Sequence, residues 1–120
     1  VEANGGQLVV VIIPTNYQVS PAIRDKVVSR NPALNDEQVV AQWHLDEPNL
    51  TIVRELEGQT IPVLDLLPYF EAHYEAGGAH LYFEGSVDEH LNRDGQKLAA
   101  DVICDWLIQN NSVHLPRRIK

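Results

Sequence analysis

The run Leu8-Val9-Val10-Val11-Ile12-Ile13, closed by Pro14, constrains the fold of this chain more than any other stretch. After Leu8 every member is β-branched and no polar residue interrupts. The pattern is that of a strand buried on both faces, as in a parallel sheet, and not the alternation of a strand with one wet face. Parallel neighbours need crossover connections, and both faces of the sheet need covering, so helices must follow. Ser20-Pro21 has the form of an N-cap followed by Pro in the first turn, and predicts a helix from there to about Arg30. A second, short helix is expected from Asn35 to about Gln42. Asn35 caps it, Asp36 and Glu37 face the helix dipole favourably, and Val39, Val40 and Trp43 form its apolar side. Asp46 and Pro48 open a third, in which Leu50, Ile52, Val53 and Leu56 recur at helical spacing. Gly58 is expected just past its end in the left-handed conformation.

Ile61-Pro62-Val63-Leu64 is the second strand, and Pro62 confines it to an edge or to a position where one amide is unpaired. A helix from about Leu66 to Tyr74 follows, with Leu67, Phe70 and Tyr74 on one face and Gly77-Gly78 as its stop. Leu81-Tyr82-Phe83 reads as a short strand leading into a loop. The last helix is the clearest: Asn92 is its N-cap, and Leu98, Ala99, Val102, Ile103, Trp106 and Leu107 make a continuous apolar stripe. Lys97, Asp101 and Asp105 fall outside that stripe, and Asn110-Asn111 ends the helix. Strands alternating with amphipathic helices give an α/β fold with a parallel sheet and right-handed crossovers. Two clear strands are few for such a sheet, and further strands are expected outside this sequence. With no Met and a first residue Val1, the sequence is expected to be a piece of a longer polypeptide.

Composition narrows the classes of partner. At 120 residues, 44% hydrophobic and 22% charged, the chain is one globular domain at most. Its formal charge of −8 opposes phosphate backbones and anionic membrane surfaces, so nucleic acid is not an expected partner. The longest apolar run, Leu8 to Ile13, is far short of the roughly 20 residues that cross a bilayer, and the chain itself is not expected to be transmembrane. A single cysteine, Cys104, excludes an internal disulfide and a thiolate metal cluster, and its place near the apolar stripe suggests a small hydrophobe.

The densest polar cluster is Glu84-Gly85-Ser86-Val87-Asp88-Glu89-His90-Leu91-Asn92, directly before the best helix. If residues 88 to 90 are extended, the Asp88 carboxylate and the His90 imidazole point to the same side. A carboxylate accepting the Nδ1 proton fixes the tautomer, leaves Nε2 as a general base, and stabilises the imidazolium that forms. The alternative is a solvated acidic loop. His73 and His80 lie near Glu71, Glu75 and Glu84, but their spacing is no recognised zinc pattern, and they are expected to be surface histidines, with no metal bound. His44 is expected to be a packing position. Asp65, Thr15, Asn16 and Tyr17 lie at the carboxyl ends of the two strands, where α/β sites assemble, but the expected role of Asp65 is to cap the following helix.

Tyr82-Phe83, then Asp88-Glu89-His90-Leu91-Asn92, Gly95 and Leu98-Ala99-Ala100 together resemble the C-terminal block of the SGNH, or GDSL-like, hydrolases and the related O-acyltransferase-like proteins. Upstream, Leu8 to Ile13 with Pro14-Thr15-Asn16-Tyr17-Gln18-Val19, Asp46-Glu47-Pro48-Asn49, Gly58, and Ile61-Pro62-Val63-Leu64-Asp65-Leu66-Leu67-Pro68 continue the likeness, which spans roughly Leu8 to Leu107. The resemblance implies a three-layer α/β/α fold with a parallel sheet, of which residues 1–120 are the C-terminal portion of a single domain. It implies an acyl-ester substrate on a carbohydrate or lipid, and no metal or organic cofactor. It also implies that His90 is the general base and Asp88 its orienting acid, acting with the serine of a Gly-Asp-Ser motif. No Gly-Asp-Ser string occurs here, nor do the Gly and Asn blocks that supply that family's oxyanion hole. None of Ser20, Ser29, Ser86 and Ser112 sits at a strand-to-helix turn. The Asp-x-His spacing matches the acyltransferase-like branch and leaves open whether Asp88 or Glu89 orients the ring. The chain alone is therefore expected to be inactive and to need the N-terminal part of the same domain. The alternative function is a non-catalytic interaction or assembly module on the same scaffold. A flavodoxin-like domain ranks last, because no glycine-rich phosphate loop follows a strand.

Overall fold

A computed structural model describes residues 2–34, 36–37, 43–83 and 90–110. Strand β1 (Val10–Ile12) pairs in parallel with β2 (Val63–Asp65), in the register Val10 with Val63, Val11 with Leu64 and Ile12 with Asp65. The mixed α/β class and the parallel pairing follow the expectation from the apolar run. Pro62 sits just before β2, where its carbonyl accepts from the Val10 amide at 2.9 Å, and with no N–H to extend the pairing it marks the start of the ladder.

Helix α1 (Asn16–Val19) follows β1 at once, and α2 (Pro21–Arg30) begins one residue later. The short α1 lies where the sequence suggested only a loop. It forms because the Gln18 side chain reaches back to Thr15, and Arg24 donates to the carbonyls of Tyr17 at 3.2 Å and Gln18 at 3.0 Å, satisfying acceptors at its end. At the start of α2 the Ser20 hydroxyl accepts from the Ile23 amide, as expected of this cap. A 3₁₀ turn spans Pro32–Leu34. The helix expected between Asn35 and Gln42 lies mainly outside the described residues.

Helix α3 (Glu47–Gly58) buries Asn49 and half-buries Val53 and Leu56, while Leu50 and Ile52 stay exposed. Gly58 is its last helical residue, not the left-handed stop expected of it. The reversal falls instead on Thr60, whose φ is 61°. Helix α4 (Leu67–Glu75) ends as foreseen, with Gly77 at φ 73°. Helix α5 (Arg93–Gln109) begins at Asn92 and turns Leu98, Ala99, Val102, Ile103 and Trp106 toward the core. Cys104 is exposed on this helix, outside the apolar stripe and not in it.

The core gathers Val19, Leu64, Leu66, Leu67, Phe70, Leu81, Tyr82 and Ala99 between the sheet, α4 and α5. Leu66 and Phe70 are wholly enclosed, and each contributes about 1.5–3 kcal/mol by leaving water. The expectation of a β1 buried on both faces is met only halfway. Val10, Val11 and Ile12 are half-buried, and the flanking Leu8 and Ile13 are 46% and 55% exposed. Two strands supply too little sheet to cover the run. Among the described residues no helix is long and apolar enough to cross a membrane.

Candidate functional site

The carboxyl ends of β1 and β2 carry a continuous chain of polar contacts. Gln18 Oε1 accepts from the Thr15 amide at 2.8 Å and from its hydroxyl at 3.2 Å. Gln18 Nε2 donates to the Leu45 carbonyl at 2.7 Å and to Asn49 Oδ1 at 3.1 Å. Asn49 Nδ2 in turn donates to Asp65 Oδ1 at 2.8 Å, and the same oxygen accepts from the Leu67 amide at 3.0 Å. Gln18 and Asn49 are buried, and every donor and acceptor just named is matched, which is what burial of amide groups requires. Asp65 thus holds α4 and α3 to the end of β2. Its position at the sheet edge was legible in the sequence, and capping the following helix is what its carboxylate does.

A second construction carries His90. Tyr82 and Leu91 form an antiparallel bridge, the Phe83 amide donates to the His90 carbonyl at 3.2 Å, and the Asn92 amide donates to the Leu81 carbonyl at 2.9 Å. Asn92 fastens this ladder to α5. Its Oδ1 accepts from the Gly95 amide at 3.0 Å, the N-cap expected of it, while its Nδ2 donates to the carbonyls of His80 at 2.7 Å and Tyr82 at 3.0 Å. Gly95 allows the close fit, since a Cβ there would collide with the Leu81 carbonyl oxygen. Tyr82 ties the ladder to the sheet: its buried hydroxyl donates to the Pro14 carbonyl at 2.6 Å, just past β1, and its ring meets Phe70 edge-on. His90 is exposed on this anchored backbone. Asp88, Glu89 and Ser86 lie outside the described residues, so the expected carboxylate–imidazole pairing falls there too.

Beside Tyr82 lies an open cavity of about 370 Å³, lined in part by Asn16, Ser20, His73, Tyr74, His80 and Tyr82. Asn16 lines it as its place after the first strand suggested. His73 Nε2 lies 3.0 Å from the Ala79 carbonyl, and its ring packs so closely on Gly78 that a side chain there would strike it. Among the described residues no three potential ligands gather to hold a metal ion. His44 is exposed and not the packing position expected. It is Trp43 that packs, stacked on Tyr17 with centroids 6.5 Å apart and planes 17° apart. On α4, burial pushes the Glu71 carboxyl above its ordinary value. The negative charges of Glu75 and Asp46 add to the rise, Arg24 opposes it, and Asp65 adds a little more.

Sequence reasoning picked out Asn92 and His90 but missed Tyr82 and Gly95 as the parts that fix the ladder. The spacing Asn92-x-x-Gly95 held the signal for Gly95, since a cap oxygen bonds the amide three residues on. Nothing local marks Tyr82, whose partner Pro14 is distant in sequence. No protein-family model matches the chain, and no curated protein or solved structure matches it either.

Proposed function

We propose that this chain is the C-terminal portion of an SGNH-like three-layer α/β/α domain, part of a serine esterase or O-acyltransferase acting on acyl esters of a carbohydrate or lipid. The observation that carries this reading is the tie from Tyr82 to Pro14, which fastens the ladder bearing His90 to the carboxyl end of a parallel strand. That is the edge at which α/β folds assemble their sites. In the proposed reaction His90 Nε2 takes the proton from a serine hydroxyl supplied by the rest of the domain, and the hydroxyl oxygen attacks the ester carbonyl. The imidazolium then returns the proton to the leaving alkoxide. Asp88, or Glu89 in its place, accepts a hydrogen bond from Nδ1–H, stays ionised and holds the ring. A base fastened through its own backbone and by a capped helix keeps its geometry through both proton transfers.

The test is hydrolysis of p-nitrophenyl acetate by the full encoded polypeptide and by its His90→Ala variant. Turnover is expected to fall by about 10²-fold or more, the contribution typical of a positioned general base. Undiminished turnover eliminates the role of His90. Asp88→Asn and Glu89→Gln, assayed alongside, identify the orienting carboxylate as the one whose loss lowers kcat. The residues 1–120 alone are expected to show no turnover, because they hold no Gly-Asp-Ser serine or oxyanion blocks.

A further inference from the structure

The open cavity beside Tyr82 measures about 370 Å³, at the small end of the roughly 300–1,000 Å³ of ligand sites. It has room for one ring-sized unit and not for a chain. Among the described residues that line it none is Asp, Glu, Lys or Arg, in a sequence with 22% charged residues and a formal charge of −8. A phosphate or an ammonium seated here would give up its hydration without meeting a permanent counter-charge, which is costly. The wall therefore suits an uncharged ligand.

Its polar groups come in both kinds. The Ser20 hydroxyl oxygen accepts from the Ile23 amide as the cap of α2, and its proton has no acceptor among the described residues, which leaves a donor. His73 supplies an acceptor. Its Nε2 lies 3.0 Å from the Ala79 carbonyl, a group that only accepts, so Nε2 carries the proton and the neutral ring keeps a lone pair on Nδ1. That nitrogen has no partner among the described residues. Asn16 and His80 add an amide and a second imidazole to the wall, and Tyr74 adds an aromatic ring that is 39% exposed. A carboxylate needs donors only, an ammonium acceptors only and a hydrocarbon chain neither, whereas a hydroxyl both donates and accepts. Several hydroxyls on a ring with apolar C–H faces match a wall of this make-up.

We propose that this cavity binds one pyranose unit of an uncharged carbohydrate, its hydroxyls held by Ser20 and His73 and a C–H face laid against Tyr74. Gly78 preserves the arrangement, because a Cβ there would collide with the His73 ring and displace the acceptor. His80 and Tyr82 belong to the wall and also to the clasp of Asn92, which donates to both their carbonyls. The seated unit thus touches the framework of the ladder that bears His90. That this sugar carries the acyl ester, in place of a lipid, rests on the preceding functional reading; the preference of the cavity rests on its wall alone.

The test is titration of the full encoded polypeptide with methyl α-glucopyranoside, methyl α-mannopyranoside and methyl α-galactopyranoside, which differ in the configuration of their ring hydroxyls. The Gly77, Gly78, Ala79 and His80 amides are followed by NMR. At least one pyranoside is expected to shift them saturably, with a Kd of about 1–10 mM. Tyr74→Ala, at an exposed position, is expected to weaken that binding by about fivefold or more through loss of ring surface. No saturable shift with any of the three overturns the proposal, and so does a shift that Tyr74→Ala leaves unchanged. Sodium acetate and hexanol, the anionic and apolar alternatives, are expected to leave these amides in place. Saturation by either at a lower concentration than the best pyranoside also overturns it. The esterase assay reads the functional proposal separately. Pyranoside binding with undiminished turnover in His90→Ala leaves the cavity's ligand standing and removes the reaction; turnover lost in His90→Ala without pyranoside binding does the opposite.

Discussion

Asp65 ends β2, His90 opens the short ladder that Tyr82 ties to the residue after β1, and the chain holds the two in different ways. One oxygen of Asp65 accepts from Asn49 and from the Leu67 amide, so the side chain itself is the fastening. At His90 the backbone carbonyl is fastened, with Asn92, Gly95 and Tyr82 fixing the ladder around it, and the residue is exposed. A carboxylate that bonds two framework donors is committed to structure. His90 is exposed, on a segment whose backbone its neighbours anchor. The physical difference lies in which atoms of the residue do the holding.

Gly95→Ala should have the largest effect on that contrast. The new Cβ meets a backbone oxygen of Leu81, which cannot turn aside as a side chain can, so α5 must lift off the ladder. A stability loss at or above the upper end of the ~1–3 kcal/mol range for overpacking is expected in urea unfolding. A loss below about 0.5 kcal/mol would show that the ladder and α5 are not tightly joined.

Asn92 separates capping from clasping. Asn92→Ala removes the cap oxygen and both donors, for an expected loss of about 1–2 kcal/mol. Asn92→Asp restores the cap oxygen but sets a carboxylate against the carbonyls of His80 and Tyr82. It should therefore fail to recover wild-type stability, although Asp caps helices as well as Asn. Full recovery would reduce the clasp to a cap and weaken the case that the ladder is specially fixed.

Much of this was legible in the sequence because it is local. The N-caps Ser20 and Asn92, the stop at Gly77, the stripe from Leu98 to Trp106 and the parallel character of the Val-Ile run each depend on residues within one or two turns of each other. The misreadings have two causes, a helix stop displaced by two residues and contacts that close over distance. Gly58 looked like a helix stop, yet α3 runs through it and turns at Thr60, where the Ile61 amide returns to the Leu56 carbonyl. His44, expected to pack, is exposed, while its neighbour Trp43 stacks on Tyr17 of another element. The Gln18–Asn49–Asp65 chain joins three elements, and no spacing in the sequence announces it. The polar cluster from Glu84 to Asn92 was found from composition, while its attachment to the sheet through Tyr82 was not.

Asp65→Asn puts the other half of the comparison at risk with a smaller change. The amide oxygen can accept from both Asn49 and Leu67, and only the negative charge near the start of α4 is lost. The expected cost is about 0.3–1 kcal/mol, with ester turnover of the full polypeptide unchanged. A large fall in turnover at unaltered stability would make Asp65 a chemical group after all, and erase the distinction between the two residues.

The smallest effect is expected at Glu71, one turn into α4 from Asp65. Burial, then the negative charges of Glu75 and Asp46, raise its carboxyl above the ordinary value of 4.5 despite Arg24. A raised acid binds its proton more tightly in the folded chain than in the unfolded one. Its favourable contribution is therefore complete below pH 4.5 and is lost as pH rises through the folded value. Above that window the ionised side chain is a mild burden on the fold. Glu71→Gln should raise Tm at neutral pH, through a stability gain that solvent screening keeps below about 1 kcal/mol. The gain should shrink toward zero as pH is lowered through the carboxylate range, in thermal melts of both proteins recorded side by side. A gain that is constant with pH would mean that the side chain's charge is not its cause. A loss at neutral pH would mean that Arg24 outweighs burial and the acidic neighbours, and would place Glu71 with Asp65 among the carboxylates that hold this edge together.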